Sequence, residues 1–237
     1  MNDYIYNIDF NKYNSVKLDI GLSYSAPHSQ MWLENDKTGK LLVLGFEPNP
    51  DNVNSILKGN IIKRDITHGT PINDEYINKQ FFIIPVALSN IDISTKSLFY
   101  SMETDSGTSS LYKPTSQSLG KIKDIIEVPV YSLKHLFDIF PWDIIDRIDY
   151  IKIDAQGADL DIIKGAGDYL KDRVVYITAE PEASQYEGCS HNNVNNMDQY
   201  LKEQGFTRIK HKNTNDPTYL NNKFIHLANI IYIAQCG

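Results

Sequence analysis

The chain contains 237 residues, of which 41% are hydrophobic and 22% are charged, so it can bury one sizeable core as an ordinary globular protein. Its formal net charge of −7 gives no general attraction for phosphate groups, which disfavours nucleic acid and anionic membranes as partners and favours small molecules or protein. No apolar run approaches the roughly 18 to 20 residues of a membrane span, the N-terminus lacks a signal-peptide pattern, and Cys189 and Cys236 form no CxxC pair. We therefore expect a soluble, cytoplasmic protein without a membrane segment.

The first third of the chain alternates apolar runs with helical patterns. Apolar runs of four to eight residues predict strands, and the residues between them have the spacing of helices. In chain order these segments are strand 16–20, helix 25–34, strand 41–46, helix 51–58 and strand 81–88. Pro85 cannot donate to a sheet ladder, so the last strand is expected at a sheet edge or with a bulge.

The middle of the chain is more polar. Short strands are predicted at 97–101 and 127–131, with a long Ser- and Thr-rich stretch at about 102–120 between them. Long loops in compact domains are usually functional or disordered. We interpret 102–120 as a flap or substrate loop, and a mobile solvent loop is the alternative. No linker or repeat interrupts the pattern, so residues 1–237 are expected to form a single domain.

The last third returns to alternating strands and helices. The predicted segments are helix 132–140, a strand ending at Asp154, a helix between Gly157 and Ala166, strand 173–180, helix 194–204, and strands 206–210 and 224–235 as an antiparallel hairpin. Such alternation predicts an α/β fold with a doubly wound, mostly parallel sheet covered by helices on both faces.

Several residues stand at the carboxyl ends of the predicted strands, where an open α/β sheet binds its ligands. They are Asp19, Glu47, Ala87, Asp154 and Glu180. The crevice where they converge is the expected functional site.

The first two of these acids suggest a nucleoside. Asp19 and Gly21 form a D-x-G turn in which glycine lets the backbone approach a ligand, and Glu47 follows Asp19 by 28 residues, where an acid can hold both ribose hydroxyls. Alternatively, Glu47 caps the helix that follows it. The chain has neither G-x-G-x-x-G nor a P-loop at the turn, so a phosphate cradle is not predicted. S-adenosylmethionine, which is cationic and lacks phosphate, fits an acidic pocket better.

Six blocks of the sequence resemble a known family in order. They read VKLDIG, LLVLGFEPNP, IIPVALSN, GTSSL, VPVYSLKHL and IDYIKIDAQGADLDIIKGA. From about Val16 to Phe206 the chain is similar to the FkbM-type methyltransferases, a branch of the S-adenosylmethionine-dependent class I fold, which is Rossmann-like. The resemblance implies that Asp19, Gly21 and Glu47 contact the cofactor, that Ala87 lies near the adenine, and that Asp154 lies beside the methyl-transfer centre.

Three positions depart from the family pattern. The family's first turn resembles DVGANIG, whereas Ser23 replaces the Asn within this cofactor-binding turn and Ser25 replaces the second Gly. The usual EG after the IKID block is Gln156 followed by Gly157, which removes a carboxylate. Ser25 and Gln156 are the evidence for an alternative function, a degenerate and non-catalytic interaction module.

The leading interpretation is an O-methyltransferase for a hydroxyl of a sugar or other small molecule. Asp154 is the candidate base or hydroxyl anchor and Glu180 its partner, because methyl transfer to oxygen needs positioning and a proton acceptor. His191 is a weaker candidate base, since its polar loop is more typical of an exposed histidine without a role. Two carboxylates could also hold Mg²⁺, although a metal is not favoured.

A third interpretation is RNA 2′-O-methylation. Lys17, Asp154 and Glu180 could imitate part of a Lys-Asp-Lys-Glu constellation. The acidic net charge and the lack of a Lys/Arg stripe argue against RNA.

Overall fold

The computed structural model describes residues 1–58, 70–117, 120–210 and 214–227. Helices are α1 (Asn2–Ile5), α2 (Pro27–Asn35), α3 (Pro50–Lys58), α4 (Leu133–Phe137), α5 (Asp159–Lys164), α6 (Tyr169–Arg173) and α7 (Val194–Glu203). Strands are β1 (Ser15–Ile20), β2 (Leu41–Phe46), β3 (Phe81–Ile84), β4 (Ala87–Leu88), β5 (Thr95–Met102), β6 (Ile122–Tyr131), β7 (Ile148–Ile153), β8 (Val174–Ala179), β9 (Phe206–Ile209) and β10 (Thr218–Asn221). Short 3₁₀ turns lie at Phe10–Lys12, Ser106–Thr108 and Asn222–Leu227.

Seven strands form the main sheet in the order β3-β2-β1-β7-β8-β10-β9. The first five are mutually parallel, and β10 runs antiparallel to both of its neighbours. The strand order reverses between β1 and β7, which is the kind of switch point where such sheets bind ligands. The mixed, mostly parallel α/β fold is therefore confirmed.

Pro85 divides the predicted strand 81–88 into two strands in different sheets. β3 lies at the edge of the main sheet, as the proline predicted, and β4 joins a second sheet in the order β4-β6-β5. Because β4 leaves the main sheet, its residues reach over the carboxyl end of β2 and help to form a cavity there.

The C-terminal antiparallel hairpin is present, but its second strand was misplaced. β9 pairs with β10, which begins at Thr218, whereas strand 224–235 was expected. Residues 224–227 belong to a 3₁₀ turn, and 228–235 lie outside the described residues. The strand was missed because it is only four residues long and follows Pro217 closely, while the tail is longer and more apolar.

The two faces of β1 differ in chemistry. Val16, Leu18 and Ile20 belong to the larger apolar core on one face, whereas Lys17 and Asp19, which alternate with them, are buried on the other. This alternation follows from the two-residue repeat of a strand. The residue at the end of each strand therefore faces either the main core side or the α2 side. Among the helices in the described ranges, none is long and apolar enough to cross a bilayer.

Candidate functional site

The turn after β1 brings three strands together at Gly21. Its φ is +83°, and a Cβ atom at this position would lie 1.9 Å from the carbonyl oxygen of Asp154. The Gly21 N–H donates to the Phe46 carbonyl at 3.0 Å, and the Asp154 N–H donates to the Ile20 carbonyl at 2.9 Å. Only glycine fits this approach, so the turn is set by the contact between β1 and β7.

Asp19 lies behind the turn rather than in the cavity. It is buried, and its Oδ2 accepts from the Ser29 backbone N–H at 3.1 Å and from the Ser29 hydroxyl at 2.6 Å. Both groups belong to the first turn of α2. Asp19 therefore holds the start of that helix against β1, and any effect on a ligand passes through the turn.

Both serines of the first turn are accommodated. Ser23 lines the cavity with a φ of +55°, a left-handed conformation in which Asn is more common than Ser. Ser25 is buried outside the left-handed region, and its carbonyl accepts from the Ile72 N–H at 2.9 Å. It is not among the residues that line the cavity. The serine at 25 therefore places no side chain where a ligand would lie.

A cavity opens at the carboxyl ends of β1, β2, β4 and β7. Its lining comprises Ile20, Gly21, Ser23, Phe46, Glu47, Pro48, Val86, Ala87, Leu88, Phe99, Ser106, Gly107, Ser109, Leu111, Asp154, Ala155, Ala158 and Ile162. Glu47, Ala87 and Asp154, three of the residues chosen from the sequence, thus share one cavity. Its walls are apolar near Ala87 and polar near Glu47, which suits a ligand with one flat apolar part and one hydroxylated part.

Glu47 is the buried acceptor of the cavity. Its side chain accepts from the Asn49 N–H at 2.9 Å and is also bonded to the Ser23 backbone N–H and the Asn52 side chain. Burial nevertheless raises the pKa of Glu47 to about 8. The helix α3 is capped by Asn49, whose Oδ1 accepts from the Asp51 N–H at 3.0 Å, whereas Glu47 bonds to the N–H of Asn49 itself.

Asp154 is held from two sides at the end of β7. Its Oδ1 accepts from the Gln156 side-chain amide at 2.7 Å, and its Oδ2 lies 3.3 Å from the Lys152 Nζ. Lys152 also donates to the Gly21 carbonyl at 3.4 Å. Two neighbours thus fix the carboxylate while one side of it faces the cavity.

Lys152 was missed by the sequence reasoning. It is buried, and burial would lower its pKa, but the carboxylates of Asp154, Asp19 and Glu180 outweigh that effect and raise the pKa. The available signal was a lysine inside the otherwise apolar strand IDYIKI. A buried lysine requires a nearby carboxylate, so this position pointed to the acids around it.

Glu180 lies outside the cavity, near Asp154. Glu180 is exposed as a residue. The nearby Asp154 carboxylate, together with partial burial of the Glu180 carboxyl group, raises the pKa of Glu180 to about 7. His28, to which the sequence assigned no role, lies in the same electrostatic neighbourhood; burial and Lys152 lower its pKa. Glu180 is therefore the group beside Asp154 that is suited to exchange a proton near neutral pH.

His191 is not part of this group. Its Nε2 lies 3.0 Å from Asp161 Oδ2, and the same oxygen accepts from the Tyr112 hydroxyl. This cluster joins α5 to the neighbouring loops. The candidate base of the 188–193 loop thus has a structural partner and is not among the cavity-lining residues.

Part of the segment 102–120 forms one wall of the cavity. Ser106, Gly107, Ser109 and Leu111 line it, and we call residues 105–111 the cavity loop. The loop is tied down by hydrogen bonds from the Ser110 hydroxyl to the Gln156 carbonyl and from the Tyr186 hydroxyl to the Thr108 carbonyl. Residues 118 and 119 lie outside the described ranges.

Comparison of the sequence with models of protein families identifies the family of this chain. The model described as the methyltransferase FkbM domain matches residues 19–208, from the end of β1 to β9. The chain belongs to the FkbM methyltransferase family. Comparisons with curated proteins and with solved structures gave no match. The FkbM domain contains every residue that lines the cavity, so the cavity is the candidate active site of a methyltransferase.

A methyltransferase of this family implies S-adenosylmethionine as its usual donor, and the cavity fits that molecule. Glu47 offers carboxyl oxygens to hydroxyl groups, Ala87 offers an apolar surface to a purine, and Gly21 lines the cavity with backbone alone. Within the described parts of the chain, no three His, Cys, Asp or Glu side chains are grouped to hold a metal ion.

Proposed function

We propose that the protein is an S-adenosylmethionine-dependent O-methyltransferase that acts on a hydroxyl of a sugar or other small molecule. The observation that carries the proposal is the placement of Glu47 and Asp154 in one cavity at the β1–β7 switch point. When bound, the cofactor would supply an electrophilic methyl group. Glu47 would hold the ribose hydroxyls, Gly21 and Ser23 would lie against the amino-acid part, and Ala87 would lie against the adenine.

The acceptor hydroxyl would be held at Asp154. A carboxylate fixed by Lys152 and Gln156 can accept a hydrogen bond from a hydroxyl without rearranging, and such positioning supplies much of the acceleration in group transfer. Glu180, whose pKa is about 7, is suited to receive the proton that leaves the hydroxyl.

The chemistry around the cavity supports a small-molecule or carbohydrate acceptor over RNA. Lys17, the lysine of the RNA interpretation, lies over the Trp32 ring at 5.0 Å and pairs in register with Tyr150, away from Asp154. The net charge is −7 as well, so a phosphate backbone gains no general attraction.

Calorimetry with S-adenosylmethionine tests the proposal. We expect binding by the wild type and at least a roughly tenfold loss of affinity in Glu47→Ala, because two ribose hydroxyls would lose their acceptor. Glu127→Ala is the matched control, since this acid is exposed on β6 and, among the described residues, forms a surface ion pair with Lys96 alone. Circular dichroism confirms that both variants fold.

Two results would count against the proposal. Equal affinities of wild type and Glu47→Ala would place the cofactor elsewhere. No binding at millimolar cofactor, together with a stable protein partner, would favour the non-catalytic interaction module.

A further inference from the structure

Gln156 lies next to Asp154 and Ala155, which line the cavity, and has an unusual backbone conformation. It follows β7 with a φ of +51°, a left-handed conformation that glutamine rarely adopts. Its backbone carbonyl accepts from the Ser110 hydroxyl at 2.7 Å, and its side chain bonds to both Asp154 and Tyr186. Strained residues of this kind persist where their surroundings hold them in place, and here three groups do so.

The orientation of the Gln156 amide is determined by its neighbours. Nε2 donates to Asp154 Oδ1 at 2.7 Å, which leaves Oε1 to accept from the Tyr186 hydroxyl at 2.8 Å. The flipped amide would set Oε1 against a carboxylate oxygen, so two acceptors would face each other. The Gln156 amide therefore donates a hydrogen bond to Asp154 and accepts one from Tyr186.

Tyr186 extends this connection to the cavity loop. Its hydroxyl lies 2.8 Å from both Gln156 Oε1 and the Thr108 carbonyl oxygen, and its single hydrogen is shared between these two acceptors. The cavity loop thus reaches Gln156 twice, through Tyr186 to the side chain and through Ser110 to the backbone. A displacement of the loop must change the surroundings of the amide that holds Asp154.

We propose that Gln156 is a positioning residue that couples the placement of the cavity loop to the orientation of the Asp154 carboxylate. The effect of this coupling on catalysis rests on the proposed function, whereas the coupling itself is a property of the protein without ligands. On this view, Gln156 is not evidence that the protein is a degenerate, non-catalytic module. A glutamate at this position would set a second carboxylate against Asp154 and lose the donor.

The coupling can be measured without cofactor or acceptor. The ¹³C resonance of the Asp154 carboxyl group reports its hydrogen bonds at fixed pH, and amide exchange reports the protection of the cavity loop. We expect Gln156→Met to shift the resonance and to speed exchange at Thr108 and Ser110 by roughly tenfold. Gln156→Glu should shift the resonance but keep the loop protected, because its carboxylate still accepts from Tyr186.

Tyr186→Phe is the decisive variant, because Tyr186 makes no hydrogen bond to Asp154. We expect it to loosen the loop and also to shift the Asp154 resonance. Gln185→Met is the matched control, since Gln185 also donates to a carboxylate, Glu182, but outside the cavity, and it should change neither signal. If Tyr186→Phe shifts the Asp154 resonance no more than Gln185→Met does, the coupling is overturned.

Kinetics then test the catalytic consequence. With an acceptor that the wild type methylates, Gln156→Glu should lower kcat at least about tenfold while the KM for S-adenosylmethionine stays within about twofold. Unchanged kcat would overturn the positioning role. A wild type that binds no cofactor would instead refute the proposed function, and the spectroscopic measurements would still decide the coupling.

Discussion

At the scale of single residues, the closest constraint is between Gly21 and the backbone of Asp154. We expect Gly21→Ala to lower the free energy of unfolding by at least about 3 kcal/mol. A left-handed alanine alone costs about 1 to 2 kcal/mol, and its Cβ would lie 1.9 Å from a carbonyl oxygen that belongs to the sheet. Urea denaturation measures the loss.

Gly39→Ala separates the two causes. Gly39 also has a positive φ, +66°, but a Cβ there would meet no atom of the described residues within 4 Å. This variant should lose only the conformational part, about 1 to 2 kcal/mol. Similar losses in the two variants would mean that the β1–β7 approach is not the source of the constraint.

For β1, β2, β7 and β8, sequence reasoning placed the carboxyl end within one residue but could not tell which face each side chain takes. Glu47 and Asp154 follow their strands and line the cavity, whereas Asp19 still lies within β1 and points to α2. Successive side chains of a strand point to opposite faces of the sheet, so an error of one residue in the strand end reverses the predicted face. A single sequence does not locate the strand end more closely than that. His191 was a candidate base from its sequence context alone, and its partner Asp161, 30 residues away, is not visible in the pattern.

At the scale of elements, the reversed strand β10 is fixed by Asn221. Its side-chain amide donates to the Lys171 carbonyl at 2.9 Å and to the Val174 carbonyl at 2.8 Å, between α6 and β8. We expect Asn221→Ala to cost about 1 to 3 kcal/mol, because two acceptors at a buried junction lose their donor. Thermal or urea unfolding gives the value.

Asn222→Ala is the neighbouring control. Within the described part of the chain, the Asn222 side chain bonds to the exposed Thr207 hydroxyl alone, so the loss in stability should stay within about 0.5 kcal/mol. If both variants unfolded alike, Asn221 would have no special part in placing β10. This junction could not be predicted, because the sequence assigned the second hairpin strand to the longer apolar tail.

At the scale of the whole molecule, two buried acids make stability depend on pH. Burial raises the pKa of Glu47 from 4.5 to about 8, and burial with the nearby Asp154 charge raises that of Asp159 from 3.8 to about 7. Between the unfolded and folded pKa values the folded state binds more protons, so the free energy of unfolding falls as pH rises. Stability is therefore expected to decrease from about pH 4.5 toward pH 8.

Glu47→Gln should flatten this dependence. The amide cannot ionise, so the slope should weaken by up to about 1.4 kcal/mol per pH unit over that range, while the share from Asp159 remains. Urea unfolding of both proteins at a series of pH values measures the slopes. Equal slopes of the unfolding free energy against pH in the two proteins would show that Glu47 is not the buried acid that takes up a proton on folding.

The contact between the Lys152 Nζ and the Gly21 carbonyl joins residues 131 positions apart. During synthesis, the segment that holds Gly21 must wait for β7 to leave the ribosome before it can adopt its final shape. Contacts this distant in sequence also slow folding, because a long loop must close before they form. A nascent chain that ends before β7 would therefore have no finished ligand cavity, and cofactor could assist only the last steps of folding.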